Sequence, residues 1–182
     1  QSRTMNYRGR IATGKYGGFT LTELLIAVVI LSIGLLGVVS FQLQLVRSNQ
    51  EALHSSIAAY LAAEAADRVR ANLPGVDDNE YDLITEAGTD PGCIDSDTGC
   101  SASTLAKNDA YEWISTIEDR LPNGQGVICK DSTPDDGTGS ADPQCDGKNG
   151  VNELSVFAVK IWWDDDRNPY TPNVAYRMGI VP

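Results

Sequence analysis

The longest hydrophobic stretch of the chain lies near its start and has no charged side chain from Leu24 to Val46. These 23 residues are enough to cross a bilayer as a helix. Glu23 lies at the edge of the stretch. A carboxylate at the bilayer centre is unfavourable by roughly 2.5–3.5 kcal/mol on insertion scales. We therefore expect Glu23 to need a cationic partner.

The helical pattern continues beyond the hydrophobic stretch. Residues 47–73 contain no Gly or Pro and are rich in strong helix formers. Apolar side chains recur every four residues and predict one buried stripe, made of Leu53, Ile57, Leu61, Ala65 and Val69, with Tyr60 and Leu73 beside it. Pro74-Gly75 predicts the end of the helix at Leu73. One helix over 19–73 is therefore expected, apolar on all sides in its first half and amphipathic in its second.

The remaining residues predict a small α+β domain in which a helix packs on antiparallel strands. Residues 74–103 and 131–150 are rich in Asp, Gly and Thr or Ser and predict irregular structure. Apolar spacing predicts a helix over 105–121 and strands over 126–129, 153–163 and 174–181. Trp162 and Trp163 are adjacent on a predicted strand and must face opposite sides of it, so we expect one of them to be exposed or at a subunit contact.

The segment before the hydrophobic stretch reads Lys15-Tyr16-Gly17-Gly18-Phe19-Thr20-Leu21-Thr22-Glu23 and follows a basic leader without acidic residues. Cleavage between Gly18 and Phe19 would create an α-amino group, which is the cation that Glu23 lacks. An ordinary secretory signal has a shorter apolar region followed by a small-residue cleavage site, which this chain does not offer. A plain signal anchor explains the length of the stretch but not the Gly-Phe-x-x-x-Glu spacing.

This segment resembles the class III signal of type IV pilins and pseudopilins. The resemblance implies that a prepilin peptidase cleaves after Gly18, that Phe19 becomes the N-methylated terminus, and that Glu23 pairs with the terminal amine of a neighbouring subunit. It also implies a type IV pilin-like fold, in which the long N-terminal helix packs on a small antiparallel sheet. The chain then divides into a leader (1–18), a transmembrane half-helix (19–46), an amphipathic half-helix (47–73) and a periplasmic α+β domain (74–182).

Three internal stretches are similar to the minor pilins called PilV-type, or type IV pilus modification proteins. The first is residues 60–72. The second is Asp109-x-x-x-Trp113 followed by Leu121-Pro122-x-Gly124-x-Gly126-Val127. The third is a strand ending in Trp163-Asp164. This resemblance implies a structural role. Such subunits join other minor pilins in an inner-membrane complex that primes assembly of the major pilin, and they end at the pilus tip, often beneath an adhesin. The alternatives are a minor pseudopilin of a type II secretion system and a calcium-binding or adhesive tip module.

The charge of the chain agrees with export across the inner membrane. The chain has 14 Lys+Arg and 25 Asp+Glu, a formal net charge of −11. The leader contributes Arg3, Arg8, Arg10 and Lys15, so its removal leaves ten basic residues and a net charge of −15. Basic residues beside a membrane segment favour the cytoplasmic side. The acidic remainder disfavours nucleic acid as a partner. Met5 is a candidate initiator.

Four cysteines, Cys93, Cys100, Cys129 and Cys145, all follow the hydrophobic stretch. An even number of cysteines in an exported region indicates disulfides. Three pairings are possible, and we favour Cys93–Cys100 with Cys129–Cys145 because each pair brackets its own loop. A zinc site is the alternative, but no C-x-x-C spacing is present and the single histidine, His54, lies far away in the sequence.

Candidate chemistry is sparse elsewhere. Asp131, Asp135, Asp136, Asp142 and Asp146 are weak calcium candidates, as are Asp164, Asp165 and Asp166, although no EF-hand spacing is present. The chain contains no G-x-S-x-G, H-E-x-x-H or phosphate-binding glycine loop. The sequence therefore predicts no catalytic residues and no required cofactor or metal, and the protein is not expected to be an enzyme.

Overall fold

The computed structural model describes residues 17–93, 99–148, 156–166 and 173–182. Its elements are α1 (Leu21–Ala71), α2 (Leu73–Asp77), α3 (Ala102–Arg120), β1 (Gln125–Lys130), β2 (Phe157–Trp163) and β3 (Val174–Ile180). The predicted α+β arrangement, a long N-terminal helix with a small antiparallel sheet, is confirmed. The chain forms two compact units, the first ending at Val46 and the second beginning at Arg47.

The described part of the first unit, residues 17–46, contains the apolar half of α1. Every described residue up to Val46 is exposed, including large apolar side chains such as Phe19, Leu24 and Ile30. Among the described residues, α1 is the one helix that is long and apolar enough to cross a membrane. This agrees with the hydrophobic stretch that the sequence predicts.

The buried face of the second half of α1 is narrower than predicted and is made mostly of smaller residues. Its buried residues are Ala58, Leu61, Ala62, Ala65, Ala66 and Val69. Leu53 and Tyr60 are 57% and 69% exposed, so placing them in or beside the buried stripe was wrong, and Leu73 is also exposed. Ala58, Ala62 and Ala66 are buried, so the small side chains of this half of α1 face the core and the bulkier Leu53 and Tyr60 lie outside the contact.

The end of α1 also differs from the prediction. The helix ends at Ala71, and Pro74-Gly75 lies inside the short helix α2 rather than in a terminating turn. Asn72 separates the two helices, and its side-chain oxygen accepts a hydrogen bond from the Gly75 N–H. Pro74 is accommodated because the first turn of a helix has no use for its missing N–H.

The sheet has the order β1-β2-β3, with both pairs antiparallel. The register places Ile128 opposite Val159 and Val159 opposite Met178. We call this side the inner face, because its residues join one hydrophobic core with α1 and α3. The inner-face members of that core are Ile128, Phe157, Val159, Ile161, Trp163 and Ile180, with Tyr176 and Met178 packed against it. The predicted strand start at 153 lies outside the described residues.

The opposite side, the outer face, carries Val127, Cys129, Lys160, Trp162 and Arg177. Residues 131–148, which we call the outer loop, cover it: Lys160 and Arg177 donate hydrogen bonds to Asp136 and Gly137 of this loop. Trp162 and Trp163 do face opposite sides, but they are only 1% and 2% exposed. The expectation that one of them is exposed was therefore wrong, because the outer loop closes the second side of the sheet.

Candidate functional site

The start of α1 has a defined cap. Thr20 precedes the helix, and its Oγ1 accepts a hydrogen bond of 3.3 Å from the Glu23 N–H. The same hydroxyl donates to Glu23 Oε2 at 3.4 Å, and the Leu24 N–H bonds to the Thr20 carbonyl at 3.2 Å. A threonine cap followed three residues later by a glutamate is the capping-box pattern. This cap, two residues after Gly18, fixes the start of the helix at Leu21.

Sequence reasoning treated Glu23 as an acid without a partner in its own chain. The Thr20-x-x-Glu23 spacing was the signal for a local partner, because it is the capping-box spacing. A carboxylate in the first turn is also favoured by the positive end of the helix dipole. Gly18 and Phe19 lie immediately before this cap and are exposed. Cleavage between them and methylation of Phe19 remain predictions.

In the second unit, the first two PilV-like stretches meet at Arg68. Its guanidinium donates to Glu64 at 2.8 Å, to Glu112 at 2.8 Å and to Asp109 at 3.1 Å. The other oxygen of Asp109 accepts a hydrogen bond of 2.5 Å from the Tyr81 hydroxyl. One cation from α1 thereby holds two carboxylates of α3.

Burial and hydrogen bonding shift two pKa values in this cluster. Burial alone would lower the pKa of Arg68, but its bonds to Glu64, Glu112 and Asp109 outweigh burial and raise that pKa. Burial also raises the pKa of Tyr81, and the hydrogen bond to Asp109 adds to this. Both groups therefore keep their ordinary protonation state at neutral pH, with Arg68 charged and Tyr81 neutral.

Contacts around Trp113 connect the second stretch to the rest of the unit. Its indole N–H donates to the Leu61 carbonyl of α1 at 2.8 Å. Gly126 of β1 lies so close to Trp113 that an added Cβ would come within 2.9 Å of the ring. An added Cβ on Gly124 would meet the Ile117 carbonyl at 2.5 Å. The two glycines of this stretch therefore allow β1 to lie directly against α3.

The third stretch, at the end of β2, contacts the same region. The Asp164 N–H donates to the Pro122 carbonyl at 2.9 Å. The next residue, Asp165, contacts His54 of α1 with 2.6 Å between Oδ1 and Nδ1. His54, Asp165 and Pro122 line a polar cavity of about 500 Å³ together with Arg47, Gln50, Glu51 and Asp166. All three stretches that carry the PilV resemblance are thus in contact within one unit.

The calcium candidates of the outer loop mostly bind groups of the protein itself. Asp131 and Asp136 face Lys160, with 2.5 Å and 2.6 Å between their carboxylate oxygens and Nζ. Asp142 accepts a hydrogen bond from Gln144. Asp146 accepts from the Ser132 hydroxyl at 2.6 Å and from the backbone N–H groups of Ser132 and Lys148, and these bonds lower its pKa. Asp135 is exposed.

Lys160 and Asp131 are the most deeply buried charged residues of the described chain, since both side chains are 0% exposed. Nζ donates hydrogen bonds to Asp136 Oδ1 at 2.6 Å, to the Pro143 carbonyl at 2.8 Å and to the Asp136 carbonyl at 3.3 Å. The bond to Lys160 is the main cause of a lowered pKa at Asp136. Sequence reasoning did not single out Lys160.

The structure pairs Cys93 with Cys100 and Cys129 with Cys145, the pairing favoured from the sequence. Cys129, Asp131 and Cys145 present potential metal ligands within 4.8 Å of one another, a grouping found among the described residues. Their two sulfur atoms form the second disulfide, so they are not thiolate ligands in this structure.

Comparison with known proteins matches one segment of the chain. Residues 14–39 fit the family model of the prokaryotic N-terminal methylation motif. No curated protein and no solved structure matches the chain. The matched segment includes Gly18, Phe19 and Glu23, and with the apolar half of α1 it indicates a type IV pilin or pseudopilin anchored in a membrane. Proteins marked by this motif are structural, and their general partners are other pilins and a prepilin peptidase.

Proposed function

We propose that the protein is a PilV-type minor pilin that joins a membrane priming complex for type IV pilus assembly and is placed at or near the pilus tip. The observation that carries the proposal is the methylation motif over 14–39, which overlaps an exposed half-helix that is uncharged from Leu24 to Val46 and rich in large apolar side chains. Such a segment is suited first to lipid and then to the packed helices of a filament.

Glu23 has two successive partners in this proposal. Before cleavage, the Thr20 hydroxyl and the helix start hold its carboxylate. After cleavage, Phe19 alone precedes Thr20, and the new amino group of a neighbouring subunit supplies a full positive charge. An ion pair surrounded by apolar helices is retained because separating it would leave an unpaired charge in a low-dielectric bundle. The pair then sets the axial register between subunits.

The assignment to the minor, PilV-type class rests on the second unit. The three stretches similar to PilV-type proteins contact one another through Arg68–Asp109, Trp113–Leu61 and Asp164–Pro122. Their shared role in positioning α1 against α3 and β1 supports reading them as one structural signature. Placement at the tip, the inner membrane as the starting location and an adhesin as partner are carried over from that resemblance.

Mass spectrometry of the native protein tests the first part of the proposal. We expect a mature chain that begins at N-methylated Phe19, and a Glu23→Gln variant that is processed normally but enters pili much less than wild type. Glu51→Gln is the matched control, because Glu51 is an exposed glutamate on the same helix beyond the apolar stretch. An intact leader, or normal incorporation of Glu23→Gln, would contradict the proposal.

Co-purification tests the partners. The full chain, solubilised in detergent from its native membrane, should retain other minor pilins. Deletion of the protein should reduce surface pili while leaving type II secretion unchanged. Loss of secretion with normal pili would instead support the pseudopilin alternative.

A further inference from the structure

A primary amine on β2 lies close to two carboxyl groups and a backbone N–H donor of the outer loop. Lys160 Nζ lies 2.5 Å from Asp131 Oδ2, and both side chains are fully buried. Asp136 Oδ1 lies 2.6 Å from the same nitrogen. None of these groups is needed for the proposed role in assembly.

The contact between Lys160 and Asp131 is not an ordinary hydrogen bond. Within the described residues, Nζ donates three hydrogen bonds, two to Asp136 and one to the Pro143 carbonyl. No group in the described part of the chain donates a hydrogen bond to Asp131 Oδ2, although this oxygen lies 2.5 Å from the nitrogen. The other oxygen, Oδ1, accepts from the Thr133 N–H at 2.9 Å. The carboxyl group is therefore held from one side while its free oxygen faces the amine.

We propose that Lys160 and Asp131 form an intramolecular amide, an isopeptide bond that joins β2 to the outer loop. Burial favours this reaction because an uncharged amide replaces two charges that are unfavourable away from water. Proximity favours it as well, because reacting groups held in position react with effective molarities of about 10⁵–10⁸ M.

The step needs no oxidant or cofactor. Asp136 takes a proton from the Lys160 ammonium along their existing hydrogen bond and passes it to Asp131 Oδ2, so that a neutral amine faces a neutral carboxylic acid. The amine then turns about its Cε–Nζ bond. The nitrogen lone pair attacks Cγ of Asp131, and negative charge collects on Oδ1, where the Thr133 N–H stabilises it. The bond from Cγ to Oδ2 then breaks. Of the three ammonium protons, one stays on the amide nitrogen and two leave with Oδ2 as water, carried by Asp136, which ends as the carboxylate it was.

The surroundings suit these roles. Thr133 Oγ1 also donates to Asp136 Oδ2 at 3.0 Å, which fixes the carboxylate that moves the protons. The side chain of Asp136 is 43% exposed, so the released water has a route to solvent that the reacting atoms lack. The Cys129–Cys145 disulfide closes the other end of the loop and keeps it on the sheet.

Tryptic peptide mapping of the reduced full chain tests the proposal. Lys160 acylated by Asp131 is not a trypsin site, so we expect a branched peptide in which residues 131–148 are joined to 149–167, lighter than the two separate peptides by one water. Loss of water without a branch would indicate cyclisation of Asp131 with its own backbone, and it would overturn the proposal. So would separate peptides with normal cleavage after Lys160.

Variants assign the roles. Lys160→Arg keeps the buried cation but should give no branch, and Asp131→Asn should give the branch with loss of ammonia instead of water. Asp136→Asn keeps both reacting groups and should slow formation of the branch by about 100-fold or more. Lys107→Arg, at an exposed lysine of α3, is the control and should leave the branch intact. The wild-type map decides the question even where a variant fails to fold.

Discussion

The two faces of the sheet are closed by different means. The inner face packs apolar side chains against α1 and α3, and its core contains Leu61, Trp113 and Trp163. The outer face is closed by a polar loop that contacts it through Lys160, Arg177 and a disulfide. Packing of the inner face relies on shape, whereas closure of the outer face relies on a few specific bonds. The inner face should lose stability gradually with each lost contact. The outer loop should open when one of its bonds to the sheet is lost.

The largest expected effect is on the inner face. Trp113→Ala removes a buried aromatic ring together with its indole hydrogen bond to the Leu61 carbonyl, so we expect a loss of about 3–5 kcal/mol in the free energy of unfolding. Urea unfolding of the detergent-solubilised chain, followed by circular dichroism, measures this. Tyr60→Ala is the control, because Tyr60 is an exposed aromatic residue of α1, and it should change stability by less than about 0.5 kcal/mol. Equal effects of the two changes would contradict the assignment of the core.

The next effect is on the outer face. Replacing Cys129 and Cys145 together by serine should destabilise the protein by about 2–4 kcal/mol, because the closed loop gains freedom in the unfolded chain. The outer loop should also become the first site of limited proteolysis. Replacing Cys93 and Cys100 in the same way is the matched control and should leave the outer loop protected. Preserved protection after loss of Cys129–Cys145 would mean that the bonds of Lys160 suffice to hold the loop.

A smaller loss of stability is expected from removing a polar group of the core. Tyr81→Phe removes the hydroxyl that Asp109 accepts from, which should lower stability by about 1–3 kcal/mol at neutral pH. The pKa of Tyr81 is raised in the folded state by burial and by that hydrogen bond, whereas an unfolded tyrosine ionises near pH 10. Its contribution is therefore complete below about pH 10 and decreases as the pH rises further.

Unfolding at neutral pH and at about pH 11 measures this difference, because the wild type should lose part of its advantage over Tyr81→Phe at the higher pH. Tyr60→Phe, at an exposed tyrosine, should show the same stability as wild type at both pH values. A constant difference between wild type and Tyr81→Phe would contradict the raised pKa.

The smallest effect concerns the half-buried contact between His54 and Asp165. His54→Gln should change the free energy of unfolding by about 0–1 kcal/mol, as is usual for partly exposed pairs. Asp165→Asn should give the same change, and the double variant should add nothing, since both remove one contact. Additive losses would indicate that each side chain makes a separate contribution.

The comparison of the two faces also explains what the sequence predicted well. The helices, the strands and the inner face follow from local periodicity, because Trp113, Ile117 and Val159 repeat at helical or strand spacing. The start of α1 was also encoded locally, in Thr20-x-x-Glu23, although we did not interpret it as a cap. Alanines 58, 62 and 66 were overlooked because small side chains give a weak apolar signal, while Leu53 and Tyr60 give a strong one.

The outer face could not be predicted in the same way. Lys160 alternates with apolar neighbours and has the pattern of a solvent-facing strand residue. Its burial depends on a loop that begins 29 positions earlier in the chain, and no local pattern records where that loop folds. The same loop buries Trp162, which explains why the expectation of an exposed tryptophan failed. The favoured cysteine pairs were the only indication that the loop returns to β1.

The exposed apolar first half of α1 limits how this protein can leave the membrane. Large apolar side chains cover it on every side, from Phe19 to Val46. Wetting a single one of them is unfavourable by roughly 1.5–3 kcal/mol, so wetting the whole segment is unfavourable by tens of kcal/mol. A single copy with this segment exposed to water is therefore not a possible intermediate. When the helix leaves the lipid, other apolar surfaces must cover it at the same time. Extraction from the membrane and packing against neighbouring helices therefore have to occur in one step.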